Sequence, residues 1–167
     1  MDLGLRGKAA LVTGASRGLG EAIALQLAAE GVQVCLAARD TAKLAEVAAS
    51  ITSSAQARCV TFAGDLRGSE TMQAAVSHAV DAFGRLDILV NNAGATTRGD
   101  FFSLTEDDWH DGFALKFHGY VRATRAAWPH LKSAGGTVIN IVGIGARAGN
   151  DEFTIGGSVN AAVLNFN

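Results

Sequence analysis

The chain is nearly without proline. Pro129 is the single instance in 167 residues, which excludes a proline-rich linker or a polyproline recognition tract. Cysteine is scarce too. Cys35 and Cys59 sit in apolar, strand-like runs without metal-like spacing, so a disulfide scaffold and a zinc module are excluded. Both read as core residues of a reduced, cytoplasmic protein, and no metal is expected. Neither sign of charge dominates: 14 Lys and Arg oppose 16 Asp and Glu, for a net charge of −2. No basic field is available to attract nucleic acid or an anionic membrane. No apolar run approaches the ~20 residues of a membrane span. The opening stretch Asp2-Leu3-Gly4-Leu5-Arg6-Gly7-Lys8 lacks the apolar core of a signal peptide. Repeats, charge blocks and linkers are missing as well, so residues 1–167 read as one domain. Its 49% apolar composition is enough for a sizeable core.

What is present is glycine, at 20 residues, in a chain where strand and helix patterns alternate from end to end. That alternation predicts a parallel sheet covered on both faces. Apolar runs predict strands at Ala9–Val12, Val32–Ala37, Cys59–Phe62, Ile88–Val90 and Thr137–Val142. Leu19, Ile23 and Leu27, at spacing four, predict the first helix. Leu44, Val47, Ala48 and Ile51 predict the second, and Met72, Val76, Ala79 and Phe83 the third, with Ser69 as a candidate cap beside Glu70. Thr105-Glu106-Asp107-Asp108 reads as the start of a long helix, with its acids near the positive dipole end. That helix carries Trp109, Phe113, Phe117, Tyr120, Val121, Thr124 and Leu131. After the fifth strand comes the glycine-rich stretch Gly143–Gly157, and then a final apolar helix from Ala161.

The most specific feature is Thr13-Gly14-Ala15-Ser16-Arg17-Gly18-Leu19-Gly20, directly after the first strand. Gly14 permits a turn that a Cβ would obstruct. Gly18 and Gly20 let backbone approach a ligand and let helix pack close to strand. The free N–H groups at the helix start then face an anion, and the pyrophosphate of a dinucleotide is the natural one.

Together with Asp65 in Gly64-Asp65-Leu66, the run Asn91-Asn92-Ala93-Gly94, Asn140 and Trp109, this turn makes the chain resemble the short-chain dehydrogenase/reductase family from residue 5 onward. The bland alternative is another dinucleotide or flavin fold with a similar turn. The resemblance implies a doubly wound, Rossmann-like α/β sheet of strand order 3-2-1-4-5 with the ligand at the carboxyl ends of the strands. It implies cofactor contacts from Gly14, Ser16, Arg17, Gly18, Leu19, Gly20, Asp65, Leu66, Asn91, Ala93 and Gly94. It also implies that the domain is incomplete at its C-terminal end and that a homo-oligomer is open to it. The choice of cofactor is read from charge. An acid at the end of the second strand would bind the adenosine ribose of NAD. Here Ala38 holds that place and Arg39 follows. Arg17 and Arg39 suit the 2′-phosphate of NADP(H), which guanidinium groups bind bidentately. The alternative is that Arg39 is a surface charge paired to Asp40.

The family's chemistry rests on a Tyr that moves the proton, a Lys four residues later, a Ser and an Asn on the long helix. The matching positions here are Gly156, Asn160, Gly143 and Lys116. None keeps the family's group. Tyr120, the chain's one tyrosine, has Thr124 at +4 and reads as a packing residue. Ser158 is a weak donor near the lost tyrosine. Lys116, among Phe113, Leu115 and Phe117, is the candidate catalytic residue, as a proton donor or Schiff-base amine. Otherwise it is a structural lysine that snorkels to solvent or touches the cofactor ribose. His110, His118, Asp151 and Glu152 are further ionisable groups near the expected site. Three functions follow as expectations: an NADP(H)-dependent oxidoreductase acting on a carbonyl or alcohol with an unusual proton source; a non-catalytic NADP(H)-binding sensor or regulatory protein; and non-redox chemistry at Lys116 such as elimination or isomerisation.

Overall fold

In the computed structural model, which describes residues 2–55 and 57–167, the alternating pattern becomes a doubly wound sheet. The strands are β1 (Ala9–Thr13), β2 (Gln33–Ala38), β3 (Cys59–Ala63), β4 (Ile88–Asn91) and β5 (Thr137–Asn140). All neighbours are parallel and the order is β3-β2-β1-β4-β5, the order expected. The crossovers carry α1 (Gly18–Ala29), α2 (Thr41–Ser54), α3 (Ser69–Phe83), α4 (Glu106–Gly112), α5 (His118–Ala134) and α6 (Thr154–Phe166).

Covering both faces explains why the central strands are apolar throughout. Val12, Val34 and Leu36 pack with Ala24, Ala28, Leu44, Val47 and Ile51 on one side. Leu11, Cys35 and Leu89 pack with Met72, Val76, Ala79, Ala123, Ala127 and Leu131 on the other. Cys35 and Cys59 belong to opposite sides of the sheet, so their thiols cannot meet. Burial pushes Cys35 up to about 12 and Cys59 up to about 11. Neither is a thiolate near neutrality, which fits the core reading. No helix among the described residues is long and apolar enough to cross a membrane.

Four local expectations are corrected. Ser69 is the first residue inside α3 and not its cap; Gly68 holds the cap position, without a side-chain bond. The long helix is interrupted: α4 and α5 are joined by a π turn at Phe113–Phe117. Its start is as expected, with Thr105 and Asp108 forming a reciprocal capping box. The last helix begins at Thr154, seven residues before Ala161. Gly156 and Gly157 conceal it in the sequence, because glycine is a poor helix former. Tertiary packing overrides that, since Ile155, Val159 and Val163 recur at spacing four and are fully buried. β5 ends at Asn140, not Val142, because its last rung is against Asn91, where β4 stops. β5 is an outer strand and its Ile139 is exposed.

Asp87, just before β4, is a buried charge that ties the sheet together. Its carboxylate accepts from the Ala9 N–H at 2.9 Å and from the Arg85 guanidinium at 2.8 and 2.6 Å. Burial alone would raise its pKa, but the Arg85 and Ala9 hydrogen bonds outweigh burial and hold it below the usual carboxylate range. Asp87→Ala leaves the buried Ala9 N–H unpaired and is expected to cost about 2 kcal/mol, read from urea unfolding. A depressed carboxylate stabilises above its unfolded pKa. Its contribution is therefore full at neutral pH and lost as pH falls below the carboxylate range. The gap between wild type and Asp87→Ala should close in acid.

Candidate functional site

The site grows from the crossing of β1 and β4, where the crossovers leave the sheet in opposite senses, the place open α/β sheets hold ligands. The Thr13 hydroxyl fastens the two strands there. It donates to the Val90 carbonyl at 3.2 Å and accepts from the Asn92 and Ala93 N–H groups at 2.9 and 3.1 Å. The Asn92 amide donates to the carbonyls of Thr13 and Gly14 at 3.0 and 3.1 Å. The glycine turn is thus held against the end of β4. Gly14 has φ +67°, and a Cβ there would come within 2.9 Å of Ala93 Cα. Gly18 has φ +61° with open space around it. The N–H end of α1 therefore faces a cleft of about 840 Å³.

Nine of the expected cofactor residues line that cleft: Gly14, Ser16, Arg17, Gly18, Arg39, Asp65, Leu66, Ala93 and Gly94. Leu19, Gly20 and Asn91 do not. Leu19 is exposed at 57% on the outside of α1. Gly20 is buried, and a Cβ on it would overlap the Gly14 carbonyl; it permits helix-to-turn contact. Asn91 is fully buried and bridges strands, donating to Asn140 Oδ1 at 2.9 Å and to Thr124 Oγ1 at 3.3 Å. Lys43 also lines the cleft, and sequence reasoning missed it. Asp40 caps α2 by accepting from the Lys43 N–H at 3.0 Å, which puts Lys43 in the first turn. A cation there opposes the helix dipole; an anion in the cleft would offset that cost, and this was the available signal. Asp65 accepts from the Arg67 side chain at 2.7 to 3.2 Å. These bonds hold its pKa below the usual carboxylate range. Arg67 also reaches Asp111 at 3.0 Å, strapping the turn after β3 to α4.

At the other end of the cleft lies the π turn. Such turns concentrate at functional sites. It carries Lys116 over Gly94, with Cδ at 3.0 Å from where a Gly94 Cβ would stand. The Lys116 ammonium lies 6.0 Å from the Tyr120 ring centre, and burial lowers its pKa below the ordinary lysine range. Tyr120 is buried, donates to the Ile141 carbonyl at 3.2 Å and is pushed up by that burial. It packs, as the sequence suggested. His118 and Ser158 are exposed.

The three other replaced positions form one unit. Asn160 is buried, its Oδ1 accepts from the Gly143 N–H at 2.6 Å, and its Nδ2 donates to the Gly156 carbonyl at 2.7 Å. A Cβ on Gly156 would overlap the Phe153 ring. The Arg98 guanidinium lies 4.0 Å above the centre of that ring, and the Gly99 N–H donates to the Glu152 carbonyl at 3.1 Å. Phe153 and Arg98 were not found from sequence. Their partner is a glycine, which carries no pattern.

The fold and the cleft define a dinucleotide-binding protein of the doubly wound class. The chain belongs to the short-chain dehydrogenase family, whose pattern it matches over residues 8–167. It is 38% identical over 161 residues to an uncharacterised oxidoreductase of Mycobacterium tuberculosis, covering 95% of this chain and 61% of that one. It is 33% identical over 144 residues to the 3-oxoacyl-[acyl-carrier-protein] reductase FabG of Staphylococcus aureus, covering 86% and 58%. Among solved structures, L-sorbose reductase from Gluconobacter frateurii complexed with NADPH and L-sorbose matches with a TM-score of 0.96 at 33% identity, over 99% of this chain and 64% of that one. A short chain dehydrogenase from Burkholderia cenocepacia in complex with NADP matches with a TM-score of 0.92 at 33% identity, over 97% and 66%. The chain spans about six-tenths of the length of the curated relatives it matches.

Proposed function

We propose that this chain is the NADP(H)-binding part of an oxidoreductase that moves hydride to or from a carbonyl or alcohol, with Lys116 as the proton donor. The observation that carries the reading is the cleft itself. It has a glycine cradle at one end, and its lining carries three cations, Arg17, Arg39 and Lys43, against two acids, Asp40 and Asp65. The NADPH and NADP complexes of the similar proteins support the same cofactor. Gly14 and Gly18 leave room for the pyrophosphate, and Ser16, Asp65 and Leu66 stand where the adenosine half would lie. NADPH, when bound, supplies the hydride. Lys116 then gives its ammonium proton to the substrate oxygen that the hydride leaves negative, and water restores the proton. General acids of this kind contribute roughly 10²–10⁴ in rate.

Arg17→Ala with Arg39→Ala removes two charge-assisted contacts to the 2′-phosphate. At about 1.5 kcal/mol each or more, NADPH affinity should fall roughly a hundredfold. NADH affinity should change less than about twofold. Fluorescence titration of both cofactors reads this.

A second reading has a specific observation behind it. Asn160, Gly143, Gly156 and Phe153 close on one another, which fits a protein that binds NADP(H) and reports it without turnover. Incubation with NADPH and a carbonyl panel separates the two. Loss of NADPH absorbance supports the oxidoreductase. Tight binding without turnover supports the sensor.

A further inference from the structure

We infer that Arg98 is the anchor for a planar anion on the substrate, so that the compound reduced or oxidised here carries a carboxylate beside its carbonyl or alcohol. The inference rests on the reading above that the site takes a carbonyl compound. It starts from Gly156, the position where the family's tyrosine would project. That space is taken by the Phe153 ring, and the ring is capped by the Arg98 guanidinium at 4.0 Å. A guanidinium over an aromatic face is held by cation–π attraction. The loop beneath is pinned by the Gly99-to-Glu152 backbone bond. Among the described residues Arg98 forms no ion pair. An arginine seated on a ring, with no carboxylate partner and its place beside the position matched to the tyrosine, suits bidentate carboxylate binding. The pairing also gives Phe153 a purpose. It fills the gap left by the absent side chain and orients the cation that replaces it.

The test compares benzoylformate with its methyl ester, which keeps the ketone and removes the charge. Calorimetric titration of the full chain, with NADP bound and without it, reads both. The acid should bind at least about tenfold more tightly than the ester. Arg98→Met, which keeps an apolar stem on Phe153, should erase that preference while NADPH affinity stays at the wild-type value. Arg98→Lys should retain part of it, since lysine offers charge without the planar fork. Equal binding of acid and ester overturns the inference. So does a preference that survives in Arg98→Met, or an acid that shows no binding up to about 10 mM. Failure of NADPH to bind wild type would overturn the proposed function instead. The acid–ester comparison on the cofactor-free chain would still judge Arg98.

Discussion

Gly156→Tyr with Asn160→Lys, which writes the family's Tyr-x-x-x-Lys spacing back into α6, should weaken the fold and raise no reductase activity above that of the wild type. A Cβ at 156 overlaps the Phe153 ring, and overpacking of this kind costs about 1–3 kcal/mol. Replacing Asn160 removes the side-chain bonds to the Gly143 N–H and the Gly156 carbonyl at 2.6 and 2.7 Å, at about 0.5–1.5 kcal/mol each. The expected total is about 2–6 kcal/mol, visible as a lowered urea midpoint. Adding Phe153→Ala should recover part of the packing cost but none of the hydrogen-bond cost. A double variant as stable as wild type would show that the four residues are not a unit. The physical content is that Gly143, Gly156, Asn160 and Phe153 hold one another: each fills or satisfies what another leaves open.

Lys116→Met should lower turnover of a carbonyl substrate about 10²–10⁴-fold and leave the NADPH dissociation constant within about threefold of wild type. The aliphatic stem over Gly94 is kept, so the packing survives. What is lost is the only ammonium at the π turn. Burial lowers the Lys116 pKa, and a proton donor works only when protonated. Reduction by the wild type should therefore be full on the acid side of the Lys116 pKa. It should fall as pH rises through a value below the ordinary lysine range. Lys116→Met should show no such limb. An unchanged kcat in Lys116→Met would assign Lys116 to structure and overturn its role as the proton donor.

The central sheet was plain in the sequence because both faces are covered, so each inner strand is an unbroken apolar run. The glycine turn was plain because Gly14 and Gly18 meet a backbone demand that no other residue meets at low cost. Legibility failed where packing overrides local preference. Gly156 and Gly157 read as loop, yet Ile155, Val159 and Val163 hold them in a helix. The π turn left no mark, since its five residues keep an apolar pattern close to helical. The substrate end was least legible. Arg98 meets Phe153 over the space left by Gly156, a glycine distant from Arg98 in sequence, and a missing side chain leaves no trace for periodicity to follow. Asn91 was assigned to the cofactor through the family's Asn-Asn-Ala-Gly run, of which Asn92, Ala93 and Gly94 line the cleft. The alternation of a strand end turned it inward to Asn140.

Preference for the 2′-phosphate is the central proposal. The measurement that tests it most directly is a paired titration of the full chain with NADPH and NADH under one salt condition, followed by quenching of Trp109 and Trp128. NADPH should bind at least about tenfold more tightly, with the difference shrinking as salt screens Arg17, Arg39 and Lys43. Equal affinity, or tighter binding of NADH, would contradict it.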